Sequence, residues 1–188
     1  MNAFQDFQDA LEDTFPSLSF FSDLDWDTIT QEYIGTHESA PQDIEEFVFG
    51  FPLFLQDKAA KEECPPYLFE LAYFELMENE LLNSEFNFPD SSGYHLNPTL
   101  RFLSFEFDIS QMMEEAAEGK HQIISRPHVL CLYHHPENGP QQTDMKPEHL
   151  ETLQKLEDGP VELSIELSQA EKEVFNELID LGLILKVI

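Results

Sequence analysis

An α+β fold is what this sequence predicts, with a helical first half and a second half built around a small antiparallel sheet. Three observations point there. Apolar residues recur at helical spacing through the first 88 positions, Thr99 to Asp108 alternates as a strand does, and the last sixty residues carry an ordered series of elements. That series runs strand (His128 to His134), turn (Pro136-Glu137-Asn138-Gly139), return strand (Gln141 to Met145), helix from Pro147, break at Asp158-Gly159-Pro160, helix from Ser168, and the ending Gly182-Leu183-Ile184-Leu185. The order is winged-helix-like. It divides the chain into a helical bundle over 1–88 and a winged-helix-like C-terminal domain over 97–188.

Each element has a local reason. Phe4, Phe7 and Leu11 share a helical face before Phe15-Pro16 stops the segment. Asp23 or Asp25 caps a helix carrying Trp26, Ile29, Tyr33 and Ile34, and Ser39-Ala40-Pro41 is a loop. Asp43 caps a third helix with Ile44, Phe47 and Val48, which Gly50 and Pro52 are expected to kink or restart before Phe54 and Leu55. Pro65-Pro66 opens a fourth, with Leu68, Leu71, Ala72, Glu75, Leu76 and Leu82 along its apolar band. Residues 83–97 lose periodicity and read as a connection. In the strand that follows, Leu100, Phe102, Phe105 and Phe107 are the apolar positions. Ser110 is then expected to cap a short helix over 109–119, and Lys120 to Arg126 to be a loop or short strand. Val129, Cys131 and Tyr133 face one way on the hairpin strand and Leu130 and Leu132 the other, so both faces are covered.

The formal charge is −29, and only Lys58 and Lys61 of the nine Lys and Arg residues lie in the first 96 positions. Neither half resembles a basic nucleic-acid module, so DNA would be repelled unless the few cations were gathered on one face. With seventeen phenylalanines the chain has the material for a core. No apolar run is long enough to span a bilayer, and Met1-Asn2-Ala3-Phe4-Gln5-Asp6 lacks the basic start of a signal peptide, which points to the cytoplasm.

Catalytic signatures are missing: there is no nucleophile elbow, glycine-rich phosphate loop or His-Glu-x-x-His. His128, Cys131, His134 and His135 have metal-ligand chemistry, but strand alternation sends His128 and Cys131, and likewise His134 and His135, to opposite faces. Glu70, Glu75 and Glu78 share a helix without a partnering Glu-x-x-His, and a buried Glu75 would need a donor from Tyr33, Tyr73 or a backbone amide. The pattern that best supports binding is the return strand beside the last helix. If Gln141, Gln142, Thr143, Asp144 and Met145 form a sheet margin, a peptide can add to it as a further strand. The groove would be walled by Lys172, Phe175, Asn176 and Ile179, and proline at Thr143 would remove an amide the peptide needs. The competing reading is a DNA-binding regulator, which requires Lys146, Lys155, Lys172 and Lys186 on one face.

The blocks Leu11-Glu12-Asp13-Thr14-Phe15-Pro16-Ser17-Leu18, Trp26 with Tyr33, Phe51-Pro52-Leu53-Phe54-Leu55, Pro66 to Glu75, and Asn97-Pro98-Thr99-Leu100-Arg101 follow one another along most of the chain. In this the sequence resembles the HvfC/BufC family, formerly labelled a putative DNA-binding domain. The resemblance implies an MbnC-like partner of an MbnB-like multinuclear non-haem iron enzyme that modifies ribosomally made precursor peptides. It implies no cofactor in this chain, iron in the partner enzyme, and a heterodimer that presents the peptide. The C-terminal half also resembles the PqqD-type recognition element, whose leader-peptide strand maps by order onto Gln141 to Met145 and Lys172 to Ile179. The acidic start over residues 1–10, and His134 where relatives tend to carry arginine, depart from the family pattern.

Overall fold

Helices dominate up to residue 83 and strands enter after it, in a computed structural model that describes residues 3–21, 25–37, 43–156 and 168–187. The expected loop over 39–41, the alternative cap Asp23 and the break over 158–160 lie outside those residues. In chain order the elements are α1 (Ala3–Thr14), α2 (Leu18–Phe21), α3 (Trp26–Gly35), α4 (Ile44–Ala60), α5 (Pro66–Asn83), β1 (Gly93–Leu96), β2 (Arg101–Phe107), α6 (Ile109–Ala117), β3 (Ser125–His135), β4 (Gly139–Asp144), α7 (Pro147–Gln154), α8 (Gln169–Asp180) and β5 (Ile184–Val187). The fold is α+β, helical at the N-terminus and sheet-containing at the C-terminus. The strands form two antiparallel pairings: β1 with β5, and a sheet ordered β2-β3-β4 in which β3 and β4 are a hairpin.

The chain divides into two compact units, one of residues 1–79 and 105–127 and the other of 80–104 and 128–188. The sequence pattern predicts a single boundary between 88 and 97. The segment 105–127 falls in the helical unit, where the backbone amides of Glu106 and Phe107 donate to the Glu70 carboxylate of α5 at 3.0 Å.

In the helical unit Phe7, Leu11 and Phe15 are buried as the helical spacing requires, and Asp25 and Asp43 cap α3 and α4 through their side chains. α4 is one helix from Ile44 to Ala60 that contains Gly50 and Pro52, so of the expected kink or restart the restart does not occur. Pro52 gives the Val48 carbonyl no N–H and its ring crowds that turn. One residue before that carbonyl, the Tyr33 hydroxyl donates to the Phe47 carbonyl at 2.5 Å, and burial pushes its pKa up to about 12. The phenol can approach because residue 50 is glycine: a Cβ there would run into the Tyr33 hydroxyl. Gly50→Ala is therefore expected to cost about 1–3 kcal/mol by overpacking. In a Tyr33→Phe background, itself about 1 kcal/mol less stable for the lost hydrogen bond, the same change should be neutral or gain up to about 1 kcal/mol from helix propensity. Urea denaturation of the four chains in this double-mutant cycle measures the coupling.

On α5 the apolar band takes Leu81 rather than the expected Leu82, since Leu81 is buried and Leu82 is 61% exposed. On β2, Leu103 and Phe105 point inward and Phe102 is 45% exposed. Strict alternation puts Leu103 in phase with Phe105 and Phe107, so the expected grouping of Phe102 with those two is one residue out of register. α6 is capped by Asp108, two residues ahead of the expected Ser110, through Gln111 N at 3.2 Å.

The second unit gathers its core from the hairpin, α7, α8 and β5, through Cys131, Tyr133, Met145, Leu153, Phe175 and Leu178 among others. Cys131 and Tyr133 are buried on one hairpin face and Leu130 and Leu132 on the other, as expected. β1 was not foreseen. Residues 93–96 pair with 187–184, and the strand has no alternation to betray it because all four of its residues are half-buried. α8 starts on a capping box: Ser168 Oγ accepts from Glu171 N while the Glu171 carboxylate accepts from Ser168 N. It ends on Gly182, whose φ of +77 allows Gly182 N to bond Ile179 O and Leu183 N to bond Leu178 O, both at 2.9 Å. Leu178 and Leu183 then pack together in the core, completing a Schellman motif.

Candidate binding surfaces of the second unit

Among the described strands β4 ends its sheet order, and its register shows which groups it turns away from β3. Met145 N donates to Val129 O at 2.8 Å, so Val129 and Met145 are a hydrogen-bonded pair. Alternation makes Cys131–Thr143 and Tyr133–Gln141 hydrogen-bonded pairs as well. The Thr143 amide therefore points at β3, and proline there would break the hairpin rather than an added strand. By the same alternation Gln142 and Asp144 turn their backbone groups away from β3, and neither residue is without a partner in the chain.

The nine positions expected to bind peptide separate by depth. Gln141, Gln142, Asp144, Lys172 and Asn176 are exposed, and Thr143 and Ile179 are half-buried. Met145 and Phe175 are core residues, Phe175 stacking edge-on against Tyr94 at 5.2 Å, so they support the surface from beneath. Where β4 runs into α7, Lys146 Nζ reaches Glu177 of α8 at 2.7 Å. Glu177 also lies 3.4 Å from Nε2 of the buried His149. Farther along, Lys155 Nζ meets Glu171 at 2.8 Å, and this ammonium with the Ser168 cap holds the Glu171 carboxyl down at about 2.

Among the described residues, six of the nine Lys and Arg side chains are seen in ion pairs. Besides Lys146 and Lys155, these are Lys58 with Glu32 and Glu63, Lys61 with Asp57, Lys120 with Glu118, and Arg126 with Asp108. Of the four lysines a DNA-binding face requires, two are thus held by acids of α8 itself.

The histidines and cysteine of β3 go to separate tasks. Cys131 is buried, and burial pushes its thiol up to about 12, which leaves it protonated and unreactive. His134 lies beside the rings of Phe86 and Phe88, and its backbone N–H donates to Thr99 Oγ1 at 2.8 Å. His135 Nδ1 accepts from the amides of Glu137 and Asn138 at 3.1 and 3.2 Å, which caps the hairpin turn. Among the described residues no group of three or more His, Cys, Asp or Glu side chains is placed to hold a metal ion. In the helical unit Glu70 is taken by two strand amides and Glu75 by Ser17 N at 2.9 Å. A backbone amide thus supplies the donor that Glu75 was expected to need.

Asn97 went unnoticed except as part of a sequence block, yet it organises this unit. Its Nδ2 donates to His134 O at 3.0 Å and Gly182 O at 2.9 Å, and its Oδ1 accepts from Thr99 N and Thr99 Oγ1. It joins the end of β3 to the α8–β5 turn. Beside that junction is a concavity of about 360 Å³, bounded by Phe88-Pro89, the turn at His135–Glu137, Ile179 and β5. No helix among the described residues is long and apolar enough to cross a membrane. In comparison with known proteins, the chain matches no family model and no curated protein.

Proposed function

We propose that this chain is a cytoplasmic, non-catalytic partner subunit of the HvfC/BufC type. In this reading it binds a ribosomally made precursor peptide by strand addition and presents it to an MbnB-like iron-dependent peptide-modifying enzyme. The observation that carries the choice of a polypeptide over DNA is the pairing of Lys146 with Glu177 and of Lys155 with Glu171. Cations already paired with acids of α8 offer little to a phosphate backbone, whose binding is driven by the counterions it releases when lysine and arginine neutralise it. Backbone pairing, in contrast, needs no net charge. The terminal position of β4 and the exposed Gln141, Lys172 and Asn176 supply a polar rim for it.

The test sets the two polymers side by side. The purified chain is titrated with a DNA duplex at low salt and used as bait for a display library of random peptides. The expected result is enrichment of peptides and no mobility shift of the duplex. Co-purification with the iron enzyme encoded nearest to its gene is the second expected result. A salt-sensitive DNA complex together with an empty peptide selection would overturn the reading.

A further inference from the structure

We infer that the concavity beside β5 is a docking groove for an extended peptide segment carrying an uncharged apolar side chain. The inference rests on the peptide-binding reading above but places the contact at a different strand. Three features of the second unit converge there.

The first is the direction of backbone groups on β5. Asn97 N donates to Leu183 O at 3.0 Å, which fixes the phase of the β1–β5 ladder. By alternation the pairs His95–Leu185 and Gly93–Val187 are hydrogen-bonded, and the amides and carbonyls of Ile184 and Lys186 project from the edge away from β1. Lys186 is exposed, and β5 pairs with β1 alone among the described strands. All four residues of β5 line the concavity, as expected for a groove that follows a strand edge.

The second feature is a fixed donor. Two amides donate to His135 Nδ1, so that nitrogen is the acceptor and the proton of the neutral ring sits on Nε2. The ring abuts Gly182, where a Cβ would run into Cδ2 and stand 2.9 Å from Nε2, so glycine is required for the imidazole to occupy this place. His135 lines the groove with its N–H available to a carbonyl oxygen. The third feature is the wall, where Phe88, Pro89, Pro136, Ile179 and Val187 are apolar and Glu137 and Lys186 are opposite in sign. The site has no demand for net charge. A strand edge, an N–H donor and an apolar wall match an extended backbone with one buried aliphatic or aromatic side chain better than they match a nucleotide or a free anion.

The probe is the peptide pool enriched on the full-length chain, followed by NMR of labelled protein with the best single peptide. Resonance shifts are expected at residues 88–89, 135–137 and 184–187. Lys186→Pro removes an outward amide without breaking a β1 bond. His135→Asn keeps an acceptor for the turn amides but lacks the Nε2 donor. Each should weaken the peptide by about tenfold, the worth of one hydrogen bond. If Lys186→Pro alters the thermal midpoint, His135→Asn carries the test alone. Shifts confined to Gln141–Asp144 and α8, with full affinity in both variants, would overturn the groove while leaving peptide binding intact. A selection that enriches nothing would overturn both.

Discussion

Asn97→Ala is expected to lower stability by about 3–5 kcal/mol, among the largest losses any single substitution in this chain should produce. The side chain is 2% exposed and makes four hydrogen bonds, so truncation leaves the carbonyls of His134 and Gly182 and the amide of Thr99 without partners in a space closed to water. Each buried group left unsatisfied costs about 1–3 kcal/mol. The lower end of the sum reflects relaxation that lets one of them find another partner. Asn97→Asp should be no better, because a carboxylate would face two carbonyl oxygens. The measurement is the urea midpoint, which should fall with little change in slope. A loss under about 1 kcal/mol would mean that water enters the junction and satisfies the exposed groups.

The second large effect concerns Glu75. Burial pushes its carboxyl up to about 7, against hydrogen bonds from Ser17 that pull it down, and the nearby Glu78 adds to the rise. A carboxyl whose pKa is raised in the folded chain holds its proton where the unfolded chain has released it. Stability is therefore unaffected below the ordinary value of 4.5, falls as pH rises from there through about 7, and levels off above. At about 1.4 kcal/mol per pH unit, the full penalty is on the order of 3 kcal/mol. Glu75→Gln keeps an acceptor for Ser17 N and removes the charge. The variant should exceed the natural chain by about 1–3 kcal/mol at mildly alkaline pH, with the gap closing as pH falls toward 4.5. Comparing the two chains cancels the general repulsion among the other acids. A gap that stays constant with pH would show that Glu75 is not the group that titrates.

The elements legible in the sequence were those with a strong period or a stop signal. α1, α3 and α5 follow their apolar spacing, Asp25 and Asp43 cap as expected, and the hairpin appears where an apolar run meets Pro136 to Gly139. Tertiary context decided the rest. Nothing local in Gly93 to Leu96 says strand, because β1 exists through its pairing with a segment about ninety residues away. Proline is a strong helix breaker by propensity, yet α4 continues through Pro52, with Phe51 and Pro52 both buried in the packed unit. The candidate site was legible as a location but not in its atomic direction. Spacing identified Gln141 to Met145 as a strand, whereas the direction of the Thr143 amide follows from the bond between Met145 and Val129. The groove beside β5 had no signature at all, since its walls come from three separate stretches of chain.

The grip of Glu70 on Glu106 and Phe107 bears on how copies of this chain treat one another. A bare sheet margin invites a neighbour's strand, and proteins that remain dispersed guard such margins with charge. Here the last amides of β2 are saturated by a carboxylate from α5, so an incoming strand would meet an anion where it needs a donor. One buried side chain thus fastens the strand to its helix and also acts as a gatekeeper against self-association at that end of the sheet.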